Sequence, residues 1–236
     1  MIDLPLAGSD KKITINPSKI IAVGLNYLDH VKESWAFDVK GLDVPKEPVL
    51  FAKTNNVLVG PGAAIVIPSH IREYNYRDER VDPECELAVI IGKRGRHIPL
   101  DRAYDYVLGY TCFNDVSQRN IQKHDPSGWF RGKSFDTFGP IGPMVVSHEM
   151  IGDPQALQVS CRINGVVKQS GNTRDMIFSV AVLIAYISRQ FTLEAGDIIA
   201  TGTPSGVSPI VPGDTVEVEV EKIGILKNPV AAEKAS

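Results

Sequence analysis

The sequence has few cysteines, no long apolar run and no excess of basic residues, and each absence excludes a class of protein. Its three cysteines, none in a Cys-x-x-Cys spacing, argue against a disulfide framework or a zinc site and indicate a reducing, cytoplasmic environment. The longest apolar run, residues 180–187, is far too short to span a membrane, and the first residues lack a signal-peptide pattern. With a net charge of −3, we expect no nucleic-acid and no membrane partner.

What the chain does contain is an ordinary globular composition with many short apolar segments. Hydrophobic residues make up 43% of its 236 positions, enough for one substantial core. Strand-type segments alternate with Gly and Pro turns, and a single long amphipathic helix is indicated at residues 175–190. We therefore predict a β-rich α+β fold with a single domain at residues 18–230. Residues 1–17 are predicted to form a short N-terminal hairpin or arm, and residues 231–236 a frayed tail.

A two-residue hairpin is the clearest local signal in the second half of the chain. Asn164-Gly165 lies between two strand segments, and both residues tolerate the positive φ of a type I′ turn. Residues 35–47 carry scattered Gly, Pro and charge and are predicted to form a loop that can move. The predicted strands cover residues 19–23, 49–52, 64–67, 84–92, 108–113, 159–163, 166–168, 197–200 and 216–221.

Two glutamates stand at the start of the most apolar strand segment. Glu84 and Glu86 are two positions apart, so an extended chain points both carboxylates to one side. Neighbouring carboxylates repel each other, and they are tolerated where they face bulk water or where a cation neutralises them. A solvated strand end is the commoner explanation of such a pair, whereas the buried run that follows favours a cation.

Other polar positions also have both an ordinary structural explanation and a chemical one. Asp115 lies between a strand and a predicted helix at residues 116–123, where it is either an N-cap or a ligand. Asn26 is a reasonable N-cap for a short helix that would place His30 and Glu33 on one face. That pair is either a surface contact or a general base oriented by a carboxylate.

Two glycine-containing segments have the composition of anion sites. Gly132-Lys133-Ser134 is similar to the end of a phosphate-binding loop, but position 127 is Ser where that loop needs Gly, so we exclude a nucleoside triphosphatase. Residues 201–206, Thr-Gly-Thr-Pro-Ser-Gly, offer hydroxyl and backbone N–H groups suited to a carboxylate or an oxyanion. An ordinary turn is the alternative explanation for this second segment.

Taken together and in this order, five segments resemble the fumarylacetoacetate hydrolase family. The resemblance is to its single-domain members, which are acylpyruvase-like or similar to 2-hydroxyhepta-2,4-diene-1,7-dioate isomerases. The segments are residues 23–30 (VGLNYLDH), 84–92 (ECELAVIIG), 109–117 (GYTCFNDVS), 132–140 (GKSFDTFGP) and 196–207 (GDIIATGTPSGV). The resemblance covers residues 18–228 and implies a mixed β-sandwich roll, a catalytic domain and a homodimer.

The resemblance also implies a role for individual positions of this sequence. Glu84, Glu86 and Asp115 match the family's ligands to a divalent cation, Mg²⁺ or Mn²⁺, and carboxylate oxygens suit such an ion. His30, Glu33 and Lys133 match catalytic positions, the first two on a mobile lid. Asn26, Tyr27, Gln122 and Thr203 match positions that contact the substrate.

The implied activity is a metal-dependent hydrolase acting on a small-molecule keto acid. It would cleave a carbon–carbon bond of a 3-acylpyruvate, with His30 activating water, and would release pyruvate and a carboxylic acid. Oxaloacetate decarboxylation, or isomerisation or decarboxylation of a 2-hydroxymuconate-type diacid, would use the same site and is the alternative.

Three departures from the family pattern concern the substrate and leave the expected metal ligands unchanged. Leu25 stands where acylpyruvase-like members often carry an Arg that could pair with a substrate carboxylate. Residues 54–56 follow Lys53 where a Pro-Ser pair is frequent. Residues 71–82 form a longer segment than in the most compact members.

Overall fold

Sixteen strands and five short α-helices make up the part of the chain that the structure describes. The computed structural model describes residues 1–36, 44–126 and 129–234. The strands are β1 (Ile2–Pro5), β2 (Lys12–Ile15), β3 (Ile20–Gly24), β4 (Val49–Lys53), β5 (Leu58–Val59), β6 (Ile65–Ile67), β7 (Val81–Asp82), β8 (Cys85–Ile91), β9 (Val107–Asn114), β10 (Ser117–Gln118), β11 (Gly139–Val146), β12 (Gln158–Ile163), β13 (Val166–Asn172), β14 (Ile198–Ala200), β15 (Thr215–Val220) and β16 (Gly224–Ala232). The helices are α1 (Leu28–Ala36), α2 (Arg119–His124), α3 (Phe130–Lys133), α4 (His148–Ile151) and α5 (Val180–Gln190).

Two sheets form the body of the molecule. The larger has seven strands in the order β4-β3-β14-β8-β9-β11-β5, and it mixes parallel with antiparallel pairs. The smaller has five strands in the order β13-β12-β15-β16-β6. The predicted β-rich α+β fold, a mixed β-sandwich roll, is confirmed.

Strand β8 lies at the centre of the larger sheet and is buried on both faces. Leu87, Val89 and Ile91 point into the main core, which they share with the smaller sheet and α5. Ala88 and Ile90 point the other way, into a second core. The β1–β2 hairpin covers this second face with its buried residues, so the N-terminal segment packs on the domain. Burial on both sides explains why this strand is an unbroken apolar run.

The long helix predicted at residues 175–190 is shorter than expected. Helix α5 begins at Val180, because Ser179 is extended and caps it by accepting a hydrogen bond from the Val182 N–H. Residues 173–175 form a separate 3₁₀ turn. The apolar face of α5 is buried, as its spacing predicts.

Other boundaries also differ, because long-range pairing overrides local sequence signals. The helix expected at residues 116–123 starts at Arg119, since Ser117 and Gln118 pair with β7. Residues 231 and 232 belong to β16 and pair with β6, so the prediction of a frayed tail is wrong for these two positions. The type I′ hairpin is confirmed, with φ of 52° at Asn164 and 78° at Gly165.

The loop predicted at residues 35–47 falls largely outside the described residues, since positions 37–43 are not described. Within the described ranges, no helix is both long enough and apolar enough to cross a bilayer.

Candidate active site

Neighbouring strands bring the three expected metal ligands together. Glu84 directly precedes β8, Glu86 is its second residue, and Asp115 directly follows β9, the antiparallel neighbour of β8. One ligand atom from each of the three residues lies within 4.8 Å of the others. Their exposures are 4%, 2% and 0%, so the explanation of Glu84 and Glu86 as a solvated strand end is wrong. These three residues are called the acidic triad below.

Asp115 does not cap a helix. The N-cap of α2 is Gln118, whose side-chain oxygen accepts a hydrogen bond from the Ile121 N–H at 2.7 Å. Asp115 is held instead by the hydrogen bond from its own N–H to the Glu84 carbonyl, at 2.9 Å. The capping explanation of Asp115 is therefore wrong. Its carboxylate lies beside those of Glu84 and Glu86.

Three cationic side chains contact the acidic triad. Lys133 Nζ lies 2.5 Å from Glu84 Oε2 and 2.7 Å from Asp115 Oδ2. Lys53 Nζ lies 2.5 Å from Asp115 Oδ1. Arg119 Nη2 lies 2.6 Å from Glu84 Oε1. Both oxygens of Glu84 and both oxygens of Asp115 are thus paired with a cationic side chain.

The negative charge of Glu86, the third carboxylate of the acidic triad, is poorly compensated. Burial works to raise the pKa of Glu84, but the charges of Lys133 and Arg119 and the hydrogen bond from Lys133 together outweigh it, and the pKa lies well below its usual range. Burial raises the pKa of Glu86 well above its usual range, and the negative charges of Asp115 and Glu84 raise it further. Glu86 accepts a hydrogen bond from the Gly202 N–H at 2.8 Å, which only partly offsets these effects.

The two buried lysines differ in how firmly they hold their protons. Burial lowers the pKa of Lys53, and the neighbouring Lys133 charge lowers it further against the attraction of Asp115. Burial also works to lower the pKa of Lys133, but contact with Asp115 and Glu84 outweighs it and the pKa is raised. Of these two lysines, Lys133 is therefore the one that holds its proton more firmly.

The donor set fits a hard divalent cation. Three buried carboxylates supply the oxygen ligands that Mg²⁺ and Mn²⁺ prefer. The poorly compensated Glu86 is the observation that supports this fit, because a cation beside it would offset both its burial and its repulsion by Asp115. The acidic triad could thus bind a divalent metal.

A histidine and a glutamate from α1 form a second polar group beside the acidic triad. His30 Nδ1 lies 3.1 Å from Glu33 Oε2, and both oxygens of Glu33 are 3.1 Å from the Gly206 nitrogen. Burial works to raise the pKa of Glu33, but the hydrogen bonds from His30 and Gly206 outweigh it and the pKa is lowered. An ionised Glu33 favours the His30 tautomer that carries its proton on Nδ1.

Loop 201–206 fastens several parts of the site to one another. Besides the bonds of Gly202 to Glu86 and of Gly206 to Glu33, the Thr203 hydroxyl donates to the Cys85 carbonyl at 2.9 Å. Because this contact uses its only proton, Thr203 can meet a ligand as an acceptor but not as a donor through its hydroxyl.

A cavity of about 500 Å³ is lined by the acidic triad and by His30, Lys133 and Thr203. One wall is apolar and includes Leu25, Phe51 and Trp129, and the Phe51 and Trp129 rings meet edge to face at 5.3 Å. Leu25 has a φ of 58°, a left-handed conformation that is rare for a bulky side chain and is found at functional sites. The same lining carries cationic side chains, and Lys133 Nζ lies 5.1 Å from the centroid of the Phe51 ring. Of the expected site residues, the cavity is lined by His30, Glu84, Glu86, Asp115, Gln122, Lys133 and Thr203.

Asn26 and Tyr27 lie outside that lining. The Asn26 amide donates to the Phe178 and Thr201 carbonyls at 3.1 and 2.8 Å and accepts from the Phe178 N–H at 2.8 Å. It thus binds backbone groups and does not cap α1, so that prediction is wrong. Tyr27 is 2% exposed, and burial raises the pKa of its hydroxyl well above its usual range. Neither residue is brought to the cavity as a substrate contact.

The match to a known family decides the identity of this fold and site. The model of the fumarylacetoacetate (FAA) hydrolase C-terminal domain matches residues 19–231. The chain belongs to the fumarylacetoacetate hydrolase family. The resemblance stated from its sequence segments is confirmed.

Relatives within the fumarylacetoacetate hydrolase family carry several different activities. The mitochondrial oxaloacetate tautomerase Fahd2a of Rattus norvegicus is 42% identical, over 91% of this chain and 66% of its own length. The structure of 5-carboxymethyl-2-hydroxymuconate delta-isomerase from Mycobacterium smegmatis is 39% identical, with a TM-score of 0.81 over 94% of this chain and 81% of that one. Maleylpyruvate hydrolase from Sphingobium sp. SYK-6, in complex with manganese(II) and pyruvate, is 33% identical, with a TM-score of 0.76 over 92% and 72%. The chain is thus a member of a family of enzymes.

Sequence reasoning missed several residues of this fumarylacetoacetate hydrolase site. Lys53 is the last residue of β4 and is 3% exposed, yet a lone lysine after an apolar run is ordinarily a solvated strand end. Arg119 was missed although it lies three positions before the predicted Gln122 in α2, a spacing that could have indicated a shared face. Asp82, which accepts from Arg119 Nε at 2.7 Å, is fully buried with no local sequence signal to mark it.

Gln169 holds loop 201–206 against the strand that carries the two glutamates of this fumarylacetoacetate hydrolase site. Its Oε1 accepts from the Cys85 N–H at 3.0 Å, and its Nε2 donates to Thr203 Oγ1 at 2.8 Å and to the Pro204 carbonyl at 2.7 Å. Replacing it with Met keeps the length but leaves two buried backbone groups without partners. We expect Gln169→Met to lower the free energy of unfolding by about 2–4 kcal/mol in urea titrations.

The matched control is Gln158→Met, because the Gln158 side chain is exposed at the start of β12. This variant should stay within about 0.5 kcal/mol of wild type. Equal stabilities for the two variants would contradict the role of Gln169.

Proposed function

We propose that this enzyme catalyses keto–enol tautomerisation of a small 2-oxo dicarboxylic acid such as oxaloacetate. The observation that carries the proposal is that His30, whose Nδ1 contacts Glu33, lines one small cavity with the acidic triad and several cations. Tautomerisation needs a group that exchanges a proton and a cationic surface that holds the charge of an enolate. It needs neither an attacking water nor a redox partner.

The reaction moves one proton. The enol oxygen loses its proton, the carbon next to the carbonyl gains one, and the carbonyl re-forms. We assign the proton transfer to His30 through Nε2, with Glu33 holding the Nδ1 proton and stabilising the imidazolium that forms. Lys133, the lysine that holds its proton more firmly, stabilises negative charge as it develops on the oxygen.

Glu84, Glu86 and Asp115 would hold the divalent cation. When bound, the cation supplies Lewis acidity that polarises the 2-oxo group and orients the acid. The apolar wall of Leu25, Phe51 and Trp129 limits access of water to the reacting carbon.

Relatives support proton transfer ahead of other reactions. The rat protein at 42% identity is named as an oxaloacetate tautomerase, and the Mycobacterium smegmatis structure at 39% is named as an isomerase. Both names denote rearrangements. The proposed tautomerisation differs from hydrolysis of a 3-acylpyruvate, the reaction that the sequence resemblance placed first.

Hydrolysis of a 3-acylpyruvate is the second candidate, and the His30–Glu33 pair is the observation that favours it. A histidine oriented by a carboxylate can also remove a proton from water. The hydroxide would add to the distal carbonyl, the carbon–carbon bond would break, and its electron pair would leave as the pyruvate enolate. The products would be pyruvate and a carboxylic acid, as the name of the Sphingobium relative suggests for that protein.

A single substrate panel distinguishes the two candidates. Enol-oxaloacetate, acetylpyruvate and fumarylpyruvate are each incubated with protein and Mn²⁺, with protein and EDTA, and with Mn²⁺ alone. We expect the enol absorbance of oxaloacetate to decay faster with protein and Mn²⁺ than in either control, while proton NMR shows the keto acid with no loss of carbon. Release of pyruvate and a second acid from an acylpyruvate, without acceleration of the enol decay, would replace the proposal with hydrolysis. Pyruvate and CO₂ from oxaloacetate would replace it with decarboxylation.

A further inference from the structure

Helix α2 presents a second cation to the cavity, one turn beyond the one that touches the acidic triad. Arg119, Gln122 and Lys123 are spaced i, i+3 and i+4, so they share one helical face, and all three line the cavity. Arg119 contacts Glu84, and its Nη1 donates to Gln122 Oε1 at 3.0 Å. At 1.5 Å of rise per residue, Lys123 lies about 6 Å further along the axis.

Lys123 differs from the inner cations because no ion pair joins it to any residue that the structure describes. It is exposed, and no carboxylate of the described residues lies within ion-pair distance of it. Lys53, Lys133 and Arg119, by contrast, are each engaged by the acidic triad. Lys123 can therefore meet a ligand anion without giving up a partner.

Arg80 lines the same side of the cavity and is held in place. Its Nε lies 2.8 and 3.0 Å from the two oxygens of Asp82, and its Nη2 donates to the Val207 carbonyl at 3.3 Å. Asp82 is fully buried and also binds Arg119, so one carboxylate fixes both arginines. The guanidinium of Arg80 is thereby held in place on the cavity lining that it shares with Lys123.

We propose that Lys123, supported by Arg80, binds the second carboxylate of the substrate and so selects 2-oxo dicarboxylic acids of four or five carbons over monocarboxylic ones. The inference rests on the proposed function in one respect, because it places the 2-oxo end of the acid at the acidic triad. The offset of about 6 Å between the two cations of α2 suits the length of such an acid. Lys123 is thus a specificity-determining residue.

Binding to the Mn²⁺-loaded protein tests this without relying on a turnover assay. Two pairs of acids are titrated by calorimetry, each matched in chain length and differing only in the distal carboxylate: 2-oxoglutarate with 2-oxovalerate, and oxaloacetate with 2-oxobutyrate. Wild type should bind the dicarboxylate of each pair more tightly. Lys123→Met should weaken both dicarboxylates by about tenfold, as expected for loss of one charge-assisted contact, and leave both monocarboxylates within about twofold.

Three further variants sharpen the test. Lys123→Arg should keep the preference, and Lys12→Met, an exposed lysine on the N-terminal hairpin, should change nothing. Asp78 is an exposed acidic residue of the cavity lining. Asp78→Asn should therefore strengthen binding of both dicarboxylates and leave binding of both monocarboxylates unchanged.

Equal affinity of wild type for the two members of each pair would overturn the subsite, as would a preference that survives Lys123→Met. Failure of the proposed function looks different. Absence of enol turnover, together with a dicarboxylate preference that depends on Lys123, would remove the tautomerase activity and leave the subsite standing.

Discussion

Glu86→Gln is expected to abolish Mn²⁺ binding and reduce turnover at least 100-fold, while leaving the metal-free protein as stable as wild type or more so. Losing a direct metal ligand should reduce metal affinity and activity more than losing a residue that only orients a ligand, which typically reduces them 10–100-fold. Burial and the charges of Asp115 and Glu84 raise the pKa of Glu86, so its ionisation opposes folding when no metal is bound. Gln removes that charge and keeps an oxygen for the Gly202 N–H.

The sign of this stability effect follows from the direction of the pKa change. A carboxyl whose pKa is higher in the folded state destabilises that state as pH rises above the usual range of a glutamate. Metal-free wild type should therefore lose stability relative to Glu86→Gln between acidic and neutral pH.

Thermal unfolding with and without Mn²⁺, together with calorimetric titration of the metal, measures both effects. Glu73→Gln, which removes an exposed carboxylate, serves as the matched control and should keep the Mn²⁺-dependent rise in Tm. An unchanged Mn²⁺ affinity in Glu86→Gln would refute the assignment of the acidic triad as the metal site.

His30→Ala should slow turnover by about 10²–10⁴ and leave Mn²⁺ affinity unchanged. The expected factor is the usual contribution of a positioned general acid or base. His30 is not part of the acidic triad, so truncating it removes the proton-transfer group without removing a metal ligand. Steady-state kinetics on the best substrate of the panel, with a parallel Mn²⁺ titration, separates the two quantities.

His70→Ala is the matched control, since His70 is exposed and lies outside the cavity lining. It should retain wild-type kinetics. If His30→Ala turns over substrate at the wild-type rate, proton transfer must be assigned to another residue.

The acidic triad could be predicted because two of its members carry a local signal. The two-residue spacing of Glu84 and Glu86 places them on one side of a strand, and the resemblance adds Asp115 from the next one. Their burial could not be read from the sequence, because charged residues at strand ends are usually solvated. It depends on Lys53 and Lys133, which arrive from other elements of the fold.

The N-cap predicted at Asn26 shows the opposite case, a clear local signal that the fold overrides. Its residue type and place before a helix indicate an N-cap, and local sequence contains nothing against it. The competing partners are backbone groups of Phe178 and Thr201, more than 150 positions away, and they win because they are buried and need a hydrogen bond. Tertiary contacts of this kind also shorten α5 and α2 relative to their sequence patterns.

Loop 201–206 has a consequence for how the protein matures. Its bonds join residues 116 positions apart at Glu86 and 173 positions apart at Glu33. During synthesis, the strand with the two glutamates and the helix with the histidine must wait until this loop has left the ribosome before either is fixed. Such distant closures are slow, because the chain loses entropy before the contacts form. A chain cut short before residue 201 would retain every proposed metal ligand and acid–base group, yet it would lack the segment that aligns them.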